Sequence, residues 1–489
     1  MKKQYDIAII GAGVVGGMVA RELTRLGQSV VLLERTDDVA TGASRANSGI
    51  VHAGFDAKEG SLKAKLNVAG AEMMPALCAE MGVAYSPCGS LVVGFGEEDD
   101  QTIKELYARG VRNGVKGMEV ISGDKAREME PNLTSEVTSA LWAPSAGVVC
   151  PYELTIASVG VAMQNGAELK VNFEVSSLRH KADGWHIYAG EQEVVARVAI
   201  NCAGAYSDAI AKMAGDDSFS ITPRRGEYVL LDRECDGKVV RHTVFMAPGK
   251  MGKGVLVSPT AHGNVIVGPT AENIEDKDDL STTARGLATL RQLAGKSVEH
   301  IPYQKGITTF CGLRSVGSTG DFIINSPVPN FINCAAIESP GLSASPAIAT
   351  YVAELLGEMG IRLAPKANFD PTYVPASLFH HLPIEEKNKI IEKDARYGRV
   401  ICRCETVTEG EIVEAIHKLP RPHDLDGIKR RTRCGMGRCQ GGFCTPYVTE
   451  ILARELGVDE LSLTKSGGAS RLLFEEIKSF GQAEGGKAE

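Results

Sequence analysis

The sequence predicts a multidomain protein of α/β plus α+β class. A parallel, helix-covered sheet opens the chain, an antiparallel sheet is inserted into it, and a small module follows near the C-terminus. Three observations predict this. An apolar run at residues 6–10 leads straight into Gly11-Ala12-Gly13-Val14-Val15-Gly16, then a helix-like run at 17–26 and a second apolar run at 29–33 closing on Glu34. Strand-like stretches at 227–232, 254–259 and 264–268 carry no such glycine turn. Five of the twelve cysteines fall between Cys402 and Cys444. At 489 residues the chain is also longer than one hydrophobic core supports.

The bulk numbers exclude several classes. Hydrophobic residues at 43% and charged residues at 23% are ordinary for a globular protein. A net charge of −8 argues against a nucleic-acid partner. Lys2 and Lys3 precede an apolar run of only four residues that breaks at Gly11, so export is not expected. No stretch approaches the roughly 18 apolar residues of a transmembrane segment. A cytoplasmic protein is the expectation, with docking at the inner face of the membrane left open. In that reducing compartment the seven cysteines from Cys78 to Cys334 read as small core residues rather than disulfides.

The first element binds a dinucleotide. A lone Gly-x-Gly-x-x-Gly is weak evidence, but one set between strand and helix, with an acid ending the next strand, is strong. Gly11 permits the tight turn, Gly13 lets backbone approach a pyrophosphate, and Gly16 allows close helix–strand packing. Free N–H groups at the helix start favour the anion. Glu34 is placed to accept from ribose hydroxyls. The next segment, Thr41 to Gly49, is rich in small and hydroxylated residues, which suits a cofactor extending past its pyrophosphate and favours FAD over NAD.

Here the sequence resembles the glycine/D-amino-acid oxidase superfamily. Within it, Ser48-Gly49-Ile50-Val51-His52-Ala53-Gly54 and Gly60-Ser61-Leu62-Lys63-Ala64 look most like the flavin-dependent glycerol-3-phosphate and L-2-hydroxyglutarate dehydrogenases. Two later segments fit: 198–208, a strand running into Ala203-Gly204, and 333–343, a strand, loop and helix start. The resemblance implies a Rossmann-like FAD-binding domain at 1–80, 151–221 and 311–360, with the helix-like run 151–166 opening a return. It implies an antiparallel substrate domain at 81–150 and 222–310. It adds Arg35, Ser44, Ser48 and Val175 to the cofactor contacts, then Ala203, Gly204 and Asp208, then Gly341, Leu342 and Ser343. In the family the last helix N-terminus faces the flavin ring, where its dipole favours negative charge.

His52 and Arg314 are the expected catalytic residues. Flavin oxidation of an alcohol needs a base for the hydroxyl proton, and histidine titrates in the useful range. A lone histidine is more often structural, and the resemblance is what selects this one. Arg314, in Cys311-Gly312-Leu313-Arg314-Ser315, offers a fork for a carboxylate or phosphate. Ser48, Ser339, Lys250 and Lys253 complete the expected substrate contacts, solvated loop lysines being an equal reading of the last two.

Residues 361–396 read as a linker ending in a charged helix at 385–396, followed by a module at 397–460 and a tail at 461–489. Four thiolates in a Cys-x-Cys plus Cys-x4-Cys arrangement suit a [2Fe–2S] cluster, with glycine loops turning N–H groups toward sulfur. Structural zinc is the competing reading. The stretch resembles the [2Fe–2S] domain of bacterioferritin-associated ferredoxin type, in the variant fused to anaerobic glycerol-3-phosphate dehydrogenases. That match makes Cys402, Cys404, Cys439 and Cys444 the ligands and Cys434 a bystander.

The expected reaction is oxidation of a small anionic secondary alcohol, sn-glycerol 3-phosphate first. Electrons would leave through the cluster to a partner protein, either a flavoprotein or a quinone-linked subunit. Rival readings are an L-2-hydroxyglutarate or amino-acid dehydrogenase, and a non-catalytic electron-transfer subunit.

Overall fold

The computed structural model describes residues 3–248 and 254–476. Strand Gln4–Ile10 lies at the centre of an eight-stranded sheet, parallel to Gln192–Asn201 on one side and Val30–Leu33 on the other. Glu168–Lys170 extends it beyond Val30–Leu33, and Phe331–Ala335 runs parallel to the end of Gln192–Asn201. Ile7, Ile9, Leu32, Ile200 and Ile332 have essentially no exposure. Such near-continuous apolar strands are what a parallel sheet covered on both faces requires. The three segments expected to touch the flavin therefore end side by side. Helices Val14–Arg25, Pro151–Gln164 and Gly341–Glu358 pack together over this sheet, their apolar residues forming one core. Gly17 lets Val14–Arg25 approach Val159, and helix Leu62–Glu80 approaches Gly341–Glu358 at Gly70, where a Cβ would lie 2.2 Å from the Ser343 carbonyl oxygen.

The second sheet has nine strands. Ile221–Leu231 is its spine, flanked by Val265–Gly268 and by Gly306–Gly317 over nearly its full length. Expected strands at 227–232, 254–259 and 264–268 appear as Ile221–Leu231, Leu256–Pro259 and Val265–Gly268. The sheet is not wholly antiparallel: Thr243–Met246 runs parallel to Ser90–Gly94. The strand Gly306–Gly317 was not expected, and it crosses the boundary drawn at 310/311. Its glycines hide the alternation of Ile307, Thr309, Cys311 and Leu313, yet Gly312 is needed because a Cβ there would meet the Ala46 carbonyl oxygen at 1.8 Å. Arg314 thus rides on the substrate sheet. All twelve cysteines are free, and six of the seven before Cys402 are buried.

The chain divides into two compact units, one of residues 1–35 and 39–374, the other of 36–38 and 375–489. The stretch expected as a linker at 361–396 is split by this division. Residues up to 374 belong to the first unit, where Ala364 and Lys366 donate to the Leu26 and Arg25 carbonyls. In the second unit, helix Ile384–Lys393 precedes a turn whose Tyr397 stacks near Phe379 and lies over Gly410. Helix Glu409–His417 begins with a capping box of Thr408 and Glu411. Helices Leu425–Thr432 and Thr445–Leu456 pack beside it around Ile412, Ile428 and Leu452. Among the described residues no helix is long and apolar enough to cross a membrane.

Candidate active site and metal centre

The glycine turn is built for a close approach. Gly11 has φ +106, and a Cβ there would lie 2.4 Å from the Cys202 carbonyl oxygen; at Gly16 it would lie 2.0 Å from the Gly11 carbonyl oxygen. Gly13 is the N-cap of Val14–Arg25 and brings no side chain to the helix start. Ser44 Oγ reaches that start instead, accepting from the Val14 N–H at 2.9 Å. Glu34, buried at the end of its strand, accepts from the Ala12 N–H at 2.9 Å. Arg35 stacks over Tyr206 and pairs with Asp278 at 3.0 Å. Val175 and Ala203 pack in the cluster around Ala8 and Leu33 at the same sheet end, and Gly204 adopts φ +57. Asp208 does something else: its carboxylate holds Lys277 at 2.6 Å and accepts from the Ile221 N–H. A bare cradle of backbone at the end of two parallel strands fits a dinucleotide cofactor.

At the other end of the cradle, strand Ile50–Val51 presents His52 to the start of helix Gly341–Glu358. The His52 N–H donates to Ser343 Oγ at 2.8 Å, and its Nε2 lies 3.3 Å from Ser339 Oγ. The imidazole rests 5.7 Å from the Phe245 ring. Gly341 and Leu342 form the first turn of that helix, where Gly341 leaves room for Ile337.

Arg314 comes from the opposite sheet. One Nη2 donates to the Thr270 carbonyl at 2.6 Å, while its buried Nε has no hydrogen-bond partner. Burial depresses its basicity, and the nearby Tyr228 phenol and Glu338 carboxylate act against that. Burial pushes the Tyr228 phenol up to about 12, with the nearby Ser48 hydroxyl acting weakly against this. Glu338 in turn pairs with Lys63 at 2.8 Å. His52 lies against Ser339, and the charge of the adjacent residue, Glu338, acts on Arg314, 262 positions from His52 in the chain, without forming an ion pair with it. An orphaned, buried guanidinium N–H fits an anionic substrate. Lys250 and Lys253 lie outside the described residues.

Sequence reasoning did not single out Phe245, Tyr228, Thr270 or Glu338. Each reaches the site through cross-strand register or a loop crossing, and neither leaves a mark in local sequence.

In the second unit the cysteines converge. Cys404 and Cys439 Sγ atoms are 3.6 Å apart. Cys402, Cys434 and Cys444 are all buried, their Sγ atoms within 4.8 Å of one another. Cys434 therefore does not stand aside, because the turn after helix Leu425–Thr432 swings it inward through Arg433 in the left-handed region. Hydrogen bonds from Cys434 and Cys444 pull the Cys402 thiol far below its ordinary range, and the Gly435 and Glu405 N–H groups add to this against burial. Burial raises Cys439, but N–H groups of Phe443, Gly441 and Gly442 outweigh it and set that thiol low. Gly437 is obligatory, since a Cβ there would lie 2.3 Å from Cys404 Cβ. Converging cysteine sulfurs with backbone N–H groups aimed at two of them are a donor set that fits an iron–sulfur cluster.

Comparison with known proteins agrees with this arrangement. The model of the family described as FAD dependent oxidoreductase matches residues 6–355, and that of the BFD-like [2Fe-2S] binding domain matches residues 400–454. A glycerol 3-phosphate dehydrogenase of Caloramator mitchellensis is 44% identical over 477 residues, 97% of this chain and 99% of that protein. L-2-hydroxyglutarate dehydrogenase of Escherichia coli (strain K12) is 33% identical over 275 residues, 55% of this chain and 64% of that protein. The solved structure of the L-alpha-glycerophosphate oxidase from Mycoplasma pneumoniae with FAD bound superposes with a TM-score of 0.71 at 29% identity. It covers 76% of this chain and 98% of that one.

Proposed function

The chain belongs to the FAD dependent oxidoreductase family and carries a BFD-like [2Fe-2S] binding domain, and from that premise we propose that it oxidises sn-glycerol 3-phosphate to dihydroxyacetone phosphate. The observation that carries the reading is the buried Arg314 guanidinium with an unpartnered Nε, together with His52 held against Ser339, in a chain similar to a glycerol 3-phosphate dehydrogenase over its length. Bound FAD supplies a two-electron acceptor for the hydride of the carbinol carbon, and a bound [2Fe–2S] cluster supplies a one-electron relay.

The residues supply the rest. Arg314 directs its free Nε–H and remaining N–H groups at the phosphate, a charge-assisted contact in a partly dry site. Its bond to the Thr270 carbonyl keeps the guanidinium in place. His52 takes the hydroxyl proton at Nε2 while hydride leaves the same alcohol. Ser343 fixes the His52 backbone, and Ser339 orients the imidazole. Gly11, Gly13 and Gly16 admit the pyrophosphate, with Glu34 at the ribose. Cys402, Cys404, Cys439 and Cys444 would hold the cluster, which would supply a one-electron route to a partner protein, a flavoprotein or quinone-linked subunit, at a cytoplasmic station on or near the inner membrane face.

Anaerobic mixing with a substrate panel tests the assignment. Glycerol 3-phosphate should bleach the flavin, with L-2-hydroxyglutarate and amino acids leaving it oxidised. Bleaching by L-2-hydroxyglutarate alongside inert glycerol 3-phosphate would overturn it.

A further inference from the structure

Four thiolates complete a [2Fe–2S] centre, yet five cysteines converge in the second unit. Their sulfurs sort into two groups. Cys404 and Cys439 stand 3.6 Å apart. A tetrahedral metal bonded to two thiolates at about 2.3 Å sets them about 3.8 Å apart, so this pair matches the grip on one iron. The remaining three, Cys402, Cys434 and Cys444, lie within 4.8 Å of one another. A pair and a triple make one thiol more than two irons take.

Cys434 is not placed like the scattered core cysteines of the first unit. It is 5% exposed and its Sγ lies within 4.8 Å of those of both Cys402 and Cys444. The turn that delivers it is specified by two residues with positive φ, Arg433 at 64 and Gly435 at 89. The Gly435 N–H then serves Cys402, so the segment carrying Cys434 also shapes its neighbour's surroundings.

We propose that Cys434 is a ligand-competent member of the cluster site, so that one iron has three thiolates to draw on and Cys434 fills the position when Cys402 or Cys444 is missing. The inference rests on the iron–sulfur reading above. Ligation by Cys434 forms one Fe–S bond and releases the thiol proton. In the wild-type chain the displaced cysteine takes a proton up, and no electron moves. The pair Cys404 and Cys439 has no such reserve, which makes the site asymmetric toward cysteine loss or oxidation.

The test uses full-length protein purified without oxygen, with iron and acid-labile sulfide measured per chain and the dithionite-reduced EPR spectrum recorded. Wild type and Cys434→Ala should carry the same iron and sulfide. Cys444→Ala and Cys402→Ala should each keep most of both, with displaced g values, and lose them when Cys434→Ala is added. Cys404→Ala and Cys439→Ala should lose the cluster outright. Should one of the first two variants fail to fold, the other carries the same comparison. The proposal is overturned if Cys444→Ala and Cys402→Ala are both bare of iron even after reconstitution with ferrous iron and sulfide. It is equally overturned if adding Cys434→Ala changes nothing. Zinc in place of iron in the wild type would instead overturn the cluster reading itself.

Discussion

His52 and Arg314 do separable work, and kinetics should separate them. His52→Ala removes the proton acceptor, and general-base catalysis is worth about 10²–10⁴-fold, so flavin reduction at saturating substrate should fall by that range. Arg314→Ala removes a contact to a buried anion worth about 1.5–3 kcal/mol, so the half-saturation concentration should rise by about one to two decades. Rapid-mixing reduction by glycerol 3-phosphate reads both. Two variants with wild-type plateau and half-saturation would remove these residues from the site. Ser339→Ala should fall between wild type and His52→Ala, since Ser339 only orients the imidazole 3.3 Å away.

At the scale of elements, two glycines and one acid decide whether a segment can take its place. Gly16→Ala would drive a methyl against the Gly11 carbonyl oxygen, 2.0 Å from the ideal Cβ position. The helix must then lift from the turn, and the purified protein should lose FAD while keeping iron. Gly437→Ala presses on Cys404 at 2.3 Å and should do the reverse, losing iron while keeping FAD. Absorbance together with metal analysis distinguishes them, and joint loss in either variant would mean general misfolding. Helix Leu425–Thr432 depends on Asp38. Burial opposes the charge on this carboxylate, yet Arg431 and Arg430 hold its pKa down to about 2. The Asp38–Arg431 contact measures 2.8 Å, with Arg431 4% and Asp38 1% exposed. Asp38→Asn removes the carboxylate shared by two buried guanidinium groups, leaving Asp424 at 4.0 Å from Arg430 as the remaining carboxylate, and breaking such a buried pair costs about 3–5 kcal/mol. Limited proteolysis should show residues 375–476 cut well before wild type, and equal resistance would contradict this role.

For the whole molecule, the expected division of labour is that the first unit reduces its flavin unaided while the second exports the electrons. The Mycoplasma pneumoniae oxidase is covered over 98% of its length by 76% of this chain, so a flavin unit of this kind stands without a second. Cys439→Ala should therefore leave anaerobic flavin reduction by glycerol 3-phosphate within about twofold of wild type, because the contacts of Arg314 and His52 are untouched. Reoxidation by a one-electron acceptor should slow strongly. Slow reduction in this variant, with normal FAD content, would show that the cluster takes part in substrate oxidation.

Local chemistry sufficed for much of this protein. Strand, glycine turn, strand and acid are contiguous from residue 6 to 34, and each residue acts on neighbours a few positions away, so the nucleotide cradle was legible before any fold. The clustering of five cysteines between Cys402 and Cys444 was legible for the same reason, while the choice of four among them came from the family resemblance. Only the tertiary structure decided the rest. Arg314 sits on the second sheet because Gly306–Gly317 pairs with Ile221–Leu231, and its own partner Arg224 is 90 residues away in the chain. The meeting of His52 with Ser339, and of Arg314 with the Thr270 carbonyl, joins segments far apart in the chain. Cys434 shows the same limit most sharply. The family pattern set it aside, but a backbone turn at Arg433 and Gly435 carries its sulfur to within 4.8 Å of those of Cys402 and Cys444, because direction in space follows from φ and ψ and not from spacing along the chain.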